Sequence, residues 1–190
     1  LTALDWSAYR SEHAEICDFV KARGITGFTS VAGDRHAYFA GLLSSSLPPK
    51  GFDPIGLEFV GASISSPGTV EAWEYNFPKD HKLAKAYVPN INRTMLYGIQ
   101  AGLGTGAPDR TFAPQLSFVD WGGHGYAVVR ASSDALEAEF VCIPRPIEHA
   151  PGEDGGPLRY RVRHRAQLWQ PGEAPKLEQS VVEGDPGLSI

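Results

Sequence analysis

The sequence predicts one domain that mixes helices and strands, of the α/β or α+β class. Its 190 residues suffice for a domain with its own core, because a chain of about 150 residues already buries about 70% of its unfolded surface. A helical pattern over residues 7–23 is followed closely by a strand pattern, which is typical of α/β proteins. From residue 115 onward, the pattern changes to a series of strands.

The first predicted element is an amphipathic helix over residues 7–23. Its apolar positions recur at steps of three and four residues, as expected for one face of a helix. These positions are Tyr9, Ile16, Cys17 and Val20, with His13 on the same stripe. Gly24 stands where a glycine commonly ends a helix, so we expect the helix to stop there.

Two short strands and an irregular segment are predicted next. Residues 25–33, ITGFTSVAG, are rich in β-branched and aromatic side chains and too short for a stable helix, which favours a buried strand. GLEFV at 56–60 predicts a second strand. The segment from about 67 to 113 is rich in Pro, Gly and Asn, with short helices predicted near 80–88 and 92–103. It is either a loop that serves a site or an ordinary surface excursion.

The C-terminal part of the sequence predicts a β-meander. Strand patterns occupy residues 115–121, 125–132 and 135–143. The last of them alternates apolar and polar residues, so we expect one of its faces to be exposed to water. A fourth strand follows at 158–168, and the Pro-, Gly- and Glu-rich residues 171–190 predict an extended tail.

Four arginines lie on one face of the fourth strand, at every second position from 159 to 165. Such a face could capture phosphate groups or nucleic acid. The favoured interpretation is that the arginines form cross-strand charge pairs with Glu137 and Glu139 and protect a sheet edge.

The composition excludes some functional classes. A net charge of -5 and a pI of about 5.7 argue against nucleic acid as a partner, because nucleic-acid-binding domains usually carry a strongly basic face. No apolar run approaches the roughly 18 residues of a membrane span. The spacing of Cys17 and Cys142 does not require a disulfide. The start lacks a methionine and a signal segment, so we expect processing, nicking or truncation of a longer protein, or a mature N-terminus.

Asp34 and His36 are the first candidates for chemistry. They follow the strand predicted at 25–33, and on an extended backbone residues two apart project to the same side. The carboxyl end of a strand in an α/β sheet is where ligands usually bind. A carboxylate beside an imidazole suits either a metal-ligand pair or an acid–base pair in which Asp34 orients His36.

Several blocks in the same order resemble one family, the alkaline phosphatase D (PhoD-type) metallophosphoesterases, and in particular their C-terminal half. The blocks are WSAY at 6–9, VAGDRHAYFA at 31–40, GLEFVGASISSPG at 56–68 and LSFVDWGGHGYAVV at 116–129. They resemble the W-D-G-Y, G-D-x-H, E-F-V-x-x-S-I-S-S-P-G and F-V-D-x-x-x-H-G-Y segments of that family.

The resemblance implies a fold, an activity and a set of site residues. The fold is a metallophosphoesterase-like sandwich of two mixed β-sheets flanked by helices, and residues 1–190 would be the C-terminal segment of the catalytic domain. Members are exported, periplasmic or secreted, phosphomonoesterases and phosphodiesterases that use calcium and iron ions. By resemblance, Asp34 and His36 are metal ligands, and His36 and His124 are catalytic residues. Apart from the resemblance, His13 and His81 are expected to serve packing or the surface, and His149 and His164 lack an acidic or cysteine neighbour at ligand spacing.

The sequence also departs from the family pattern. Ser7, Ala113, Gln115 and Gly123 replace residues that are common in the family at those positions, which are Asp, Asn, His and Arg. The N-terminal metal ligands have no counterpart before Leu1. We therefore expect the N-terminal segment of the same protein as a partner, in a second chain, together with a small phosphate ester as substrate. The alternative is a structural or binding fragment that keeps the fold without the chemistry.

Overall fold

The computed structural model describes residues 8–48, 50–78, 80–145, 149 and 156–187, which form thirteen helices and strands. The helices are α1 Arg10–Ala22, α2 Thr69–Asn76, α3 Lys82–Tyr87, α4 Ile91–Tyr97 and α5 Ile99–Gly102, with a short 3₁₀ turn at Val88–Asn90. The strands are β1 Thr29–Ala32, β2 Tyr38–Leu43, β3 Gly56–Val60, β4 Leu116–Asp120, β5 His124–Ala131, β6 Ala135–Ile143, β7 Tyr160–Gln167 and β8 Glu178–Gly184.

The strands form two four-stranded sheets. The first has the order β1-β3-β2-β4, in which β1 runs parallel to β3 and the other pairs are antiparallel. The second has the order β5-β6-β7-β8 and is antiparallel throughout. Two sheets with flanking helices confirm the predicted sandwich of the α+β class.

The predicted meander over residues 115–143 is wrong in one respect. β4 does not pair with β5 but with β2 in the first sheet, and the chain then crosses to the second sheet. The pairing with β2 satisfies the backbone of β4, and the sequence pattern had not predicted a strand at Tyr38–Leu43. The true meander runs from β5 to β8, and its last strand comes from the predicted tail.

β1 is shorter than the strand predicted at 25–33. It spans only Thr29–Ala32, because Gly27 adopts a φ of 72°, which is outside the β region. Strand β3 has the predicted bounds, and helices α3, α4 and α5 lie in the two short helical stretches that were predicted. Helix α2 was not predicted.

The main core lies between the two sheets and is largely aromatic. Tyr38, Phe59, Phe118, Phe140 and Tyr160 are all buried there. Tyr38 stacks on Phe140 with ring centroids 4.8 Å apart, and its hydroxyl donates to the carbonyl of Val141 at 2.6 Å. This bond joins the first sheet to the second.

A second core lies on the outer face of the first sheet. Here α4 and α5 cover Val119 of β4 with Leu96, Tyr97 and Ala101. Within the described residues, no helix is long and apolar enough to cross a membrane. Cys17 and Cys142 are both buried and not joined by a disulfide.

Two of the four arginines pair with the predicted glutamates. Arg165 lies opposite Glu137 and Arg163 opposite Glu139, with N–O distances of 3.3 and 3.2 Å. Each such pair contributes about 0–1 kcal/mol. The expected edge protection is wrong, because β8 pairs with β7 and makes it an inner strand.

The predicted exposed face of β6 is also wrong in part, since Glu139 and Val141 are buried. β6 is an inner strand, and Val141 lies directly between Tyr126 and Arg161 of the neighbouring strands. Long side chains on both neighbours can therefore cover it.

His164 lies in the main core, and this makes the fold sensitive to acid. Its ring is 4.6 Å from that of Phe140 and 5.4 Å from that of Phe118. Burial lowers the pKa of His164 to about 3, and Gln179 opposes this only in part. In the unfolded chain this histidine has a pKa of about 6.5, so it is protonated at a higher pH than in the folded protein. The free energy of unfolding therefore falls as the pH drops below about 6.5.

We expect the free energy of unfolding to be about 2 kcal/mol lower at pH 5 than at pH 7.5 through His164 alone. Urea melts across this range measure the effect. A His164→Leu variant should lose this part of the pH dependence, whereas the exposed His149→Ala control should retain it. Equal slopes in all three proteins would contradict the assignment.

Candidate active site

Asp34 and His36 lie in a tight bend between β1 and β2. Both adopt left-handed backbone conformations, with φ of 66° and 50°. The extended backbone assumed in the sequence analysis is therefore wrong at these positions, because β1 ends at Ala32 and residues 34–37 bend. Two such residues in a stretch of three cost free energy, and conformations of this kind cluster at functional sites.

His36 has a defined hydrogen-bonding state. Its Nδ1 lies 2.8 Å from the carbonyl oxygen of Pro67, and since a carbonyl only accepts, Nδ1 carries the proton and donates. In the neutral ring, Nε2 then keeps its lone pair. The SISSPG segment, which precedes α2, thus sets the tautomer of the histidine in the GDRH turn.

Gly68 allows these two segments to approach closely. A Cβ atom at position 68 would lie 2.8 Å from the carbonyl oxygen of His36, a separation that real Cβ atoms do not show. The same glycine is the N-cap residue of α2, and its N–H donates to the Glu71 carboxylate at 2.8 Å. The close approach of the two segments therefore explains why the SISSPG block ends in glycine.

Glu71 connects this turn to His124. The Glu71 Oε2 atom that accepts from Gly68 also lies 2.8 Å from Nε2 of His124. Burial alone would raise the pKa of Glu71, but the hydrogen bonds from Gly68 and His124 outweigh it and lower the pKa. The sequence analysis missed Glu71, which the spacing from the capping glycine could have indicated.

His124 itself is buried, with 1% of its surface exposed. Its Nδ1 has no hydrogen-bond partner among the described residues. The backbone N–H of the next residue, Gly125, donates to Ser63 of the SISSPG segment at 2.9 Å. The structure therefore links His36 to His124 through Pro67, Gly68 and Glu71, while Asp34 is exposed and His36 half-exposed.

Asp120 is a second residue that the sequence analysis missed. It is buried at the end of β4, and its carboxylate accepts four hydrogen bonds. The donors are Asn92 at 3.1 Å, Gly122 N–H at 3.1 Å, Arg159 at 3.2 Å and Tyr160 at 2.9 Å. Asp120 thus holds together a helix, both sheets and the turn before His124.

The positions that depart from the family pattern have different surroundings. Ala113 is buried and Gln115 half-buried, whereas Ser7 lies outside the described residues. At Gly123, an added Cβ would lie 2.8 Å from both Asp120 Oδ2 and the Tyr38 ring. An arginine at position 123 would therefore not fit this backbone.

Comparison with known proteins places the chain in a family. The family description "PhoD-like phosphatase" matches residues 2–140. The chain belongs to the PhoD-like phosphatase family. No curated protein matches the sequence significantly.

A solved structure titled "Structure of PhoD" has the same fold as this PhoD-like chain, with a TM-score of 0.55 and 19% sequence identity. The similarity covers 95% of this chain and 27% of the other. The PhoD-like chain therefore spans about a quarter of the length of this solved relative.

The donor atoms of the GDRH turn suit a metal ion. Asp34 offers an exposed carboxylate, and His36 offers the lone pair of Nε2. The hydrogen bond from Nδ1 to the Pro67 carbonyl fixes the tautomer of the ring, an arrangement common to metal-binding histidines. Across the described ranges, no group of three or more His, Cys, Asp and Glu side chains could hold a metal ion. The turn thus fits as part of a ligand set.

Proposed function

We propose that this chain forms part of the catalytic centre of a metal-dependent phosphoester hydrolase. The observation that carries the proposal is the GDRH turn, in which two left-handed residues present a carboxylate and an imidazole whose Nδ1 is bonded to Pro67. Asp34 and His36 are the proposed metal ligands, and calcium and iron are the proposed ions. The proposed substrates are small phosphate monoesters or diesters, and the proposed location is the periplasm or the exterior of the cell.

Each residue has a distinct proposed role. A bound cation would neutralise charge on the phosphate oxygens and lower the pKa of an attacking water. Asp34 supplies the oxygen donor that hard cations prefer. His36 supplies Nε2 as a nitrogen donor or a hydrogen-bonding group for the phosphate, and the Pro67 carbonyl keeps the ring in position. The Glu71 carboxylate holds the imidazole of His124.

His124 remains a proposed catalytic residue. In its present position it is behind the SISSPG turn and would act on the phosphate only if that turn moved, or indirectly through Glu71 and Gly68. If Nε2 of the neutral ring carries the proton, it donates a hydrogen bond to Glu71. The lone pair of the ring is then on Nδ1.

The remaining ligands must come from elsewhere in the domain. We propose that the N-terminal segment of the same protein supplies them, since the chain covers 27% of the solved PhoD chain. The second candidate function is a binding or structural module. It is favoured by the lack of a three-residue metal cluster in the part of the chain that the structure describes.

Hydrolysis of chromogenic phosphate esters separates the two functions. We expect the complete protein to release p-nitrophenol from p-nitrophenyl phosphate or bis-p-nitrophenyl phosphate. EDTA should abolish the release, and Ca²⁺ with iron should restore it, because the metal supplies the main electrostatic stabilisation. A complete, metal-loaded protein that hydrolyses neither ester would favour the binding module.

A further inference from the structure

Two arginines from different parts of the chain lie against the turn that joins β4 to β5, residues 121–123. Arg35, of the GDRH turn, has its guanidinium carbon 5.5 Å from the centroid of the Trp121 ring. Arg145, which follows β6, has its guanidinium beside Gly122, where an added Cβ would lie 3.4 Å from the Nη2 atom. The β4–β5 turn therefore has a cationic group at each of two consecutive residues.

The β4–β5 turn lies next to the proposed metal ligands. A Cβ atom at Gly68 would lie 2.8 Å from the carbonyl oxygen of His36 and 3.5 Å from that of Trp121. The GDRH turn, the SISSPG segment and the β4–β5 turn thus all meet at this glycine. Burial raises the pKa of Glu71, but the hydrogen bonds that it accepts and the charge of Arg145 lower it below the ordinary value. Arg145 is therefore close enough to act on the same group of residues.

Arg145 is held loosely, unlike a third arginine beside the same turn. Arg159 pairs at 3.2 Å with Asp120, a carboxylate that is only 1% exposed, so this pair is fixed within the buried network. Arg145 pairs at 3.2 Å with Glu74, whose side chain is 49% exposed. Because exposed pairs of this kind contribute little to stability, a phosphate oxygen can replace the Glu74 carboxylate at low cost.

The chemistry of the guanidinium group suits a phosphate ester. Its planar fork of N–H donors matches two phosphate oxygens at once, and it stays charged at alkaline pH. The bond from Arg145 to Glu74 uses Nη1, and the same guanidinium carries further N–H donors. A phosphate monoester bears nearly two negative charges above neutral pH, whereas a diester bears one. Two guanidinium groups therefore complement the charge of a monoester better than that of a diester.

We propose that Arg145 and Arg35 are phosphate-binding residues, whose guanidinium groups hold the non-bridging oxygens of a phosphate monoester beside Asp34 and His36. The inference rests on the proposed function and deepens it, because it names the dianionic monoester as the preferred substrate class. The two arginines would also stabilise the negative charge that is spread over these oxygens in the transition state.

Titration of the complete, metal-loaded protein with inorganic phosphate tests the site without depending on turnover. We expect Arg145→Gln and Arg35→Gln each to weaken phosphate binding by about 10-fold to 100-fold in isothermal titration calorimetry, the usual effect of losing a hydrogen bond to a charged group. Metal content and the midpoint of urea unfolding should stay unchanged. The matched control is Arg165→Gln, because Arg165 is also half-exposed and pairs with Glu137 at 3.3 Å, but lies near the C-terminal end of β7. It should bind phosphate as the unchanged protein does.

Steady-state kinetics test the preference for monoesters. In Arg145→Gln and Arg35→Gln, kcat/KM should fall more for p-nitrophenyl phosphate than for bis-p-nitrophenyl phosphate. Arg145→Lys and Arg35→Lys should lose less, because lysine keeps the charge and loses only the fork of donors.

The outcomes separate this proposal from the proposed function. Unchanged phosphate affinity in both glutamine variants, or an equal loss in Arg165→Gln, would overturn the phosphate site even if the protein were an active hydrolase. Equal losses of kcat/KM for the two esters would overturn the preference for monoesters. A protein that hydrolyses neither ester, but binds phosphate more weakly in Arg145→Gln and Arg35→Gln, would contradict the proposed function and leave the phosphate site intact. If a glutamine variant unfolds more easily, the phosphate affinity of the matching lysine variant decides instead.

Discussion

Asp34→Asn and His36→Ala are each expected to lower the metal content of the complete protein and to lower its phosphatase activity by more than about 100-fold, since the loss of an outer-shell partner alone costs about 10–100-fold in metal affinity or activity. Each substitution removes one donor from the GDRH turn. Elemental analysis and the rate of p-nitrophenol release measure the two effects.

The backbone of the turn allows a controlled comparison. Asn tolerates a left-handed conformation, so Asp34→Asn should keep the φ of 66° and change only the donor. At position 36, Asn can keep the left-handed conformation, whereas Ala disfavours it. Equal losses of metal and activity in His36→Asn and His36→Ala would therefore assign the effect to the missing imidazole. Asp53→Asn, at an exposed carboxylate that pairs with Lys21, is the control. Unchanged metal content and turnover in Asp34→Asn or His36→Ala would remove that residue from the proposed site.

Asp120→Asn is expected to lower the free energy of unfolding by about 2 kcal/mol, because the buried carboxylate accepts four hydrogen bonds and an amide leaves some of these donors unsatisfied. The new amide would place N–H groups toward the Arg159 and Tyr160 donors that now meet Oδ2. Denaturant unfolding measures the loss.

Tyr160→Phe measures the contribution of one hydrogen bond in the Asp120 network. It removes one hydrogen bond to Asp120 and keeps the ring in the core, so we expect a loss of about 1 kcal/mol. If Asp120→Asn unfolded at the same denaturant concentration as the unchanged protein, Asp120 would not be the centre of the network.

The local patterns of the sequence were informative where a single segment decides its own structure. The helix at 7–23, the strand at 56–60 and the arginine–glutamate pairs of β6 and β7 were all predicted. Helix periodicity and strand alternation are properties of neighbouring residues, so they can be read without knowing the fold. The resemblance of the ordered blocks then indicated the correct family.

Distant partners could not be predicted in the same way. Whether β4 pairs with β5 or β2 depends on which strand lies beside it in space, and no pattern within 115–143 contains that information. The same holds for Glu71 and His124, which are 53 positions apart, and for Asp120 and Tyr160, which are 40 apart.

By itself, the sequence determined that this is a mixed helix-and-strand domain of the PhoD type, with Asp34 and His36 following a strand. Only the tertiary structure decided that the two residues lie in a left-handed bend, that Pro67 fixes the His36 tautomer and that His124 is buried behind Glu71. The physical reason is that secondary structure follows from local side-chain patterns, whereas tautomer, burial and hydrogen-bond partners depend on segments that meet only when the chain folds.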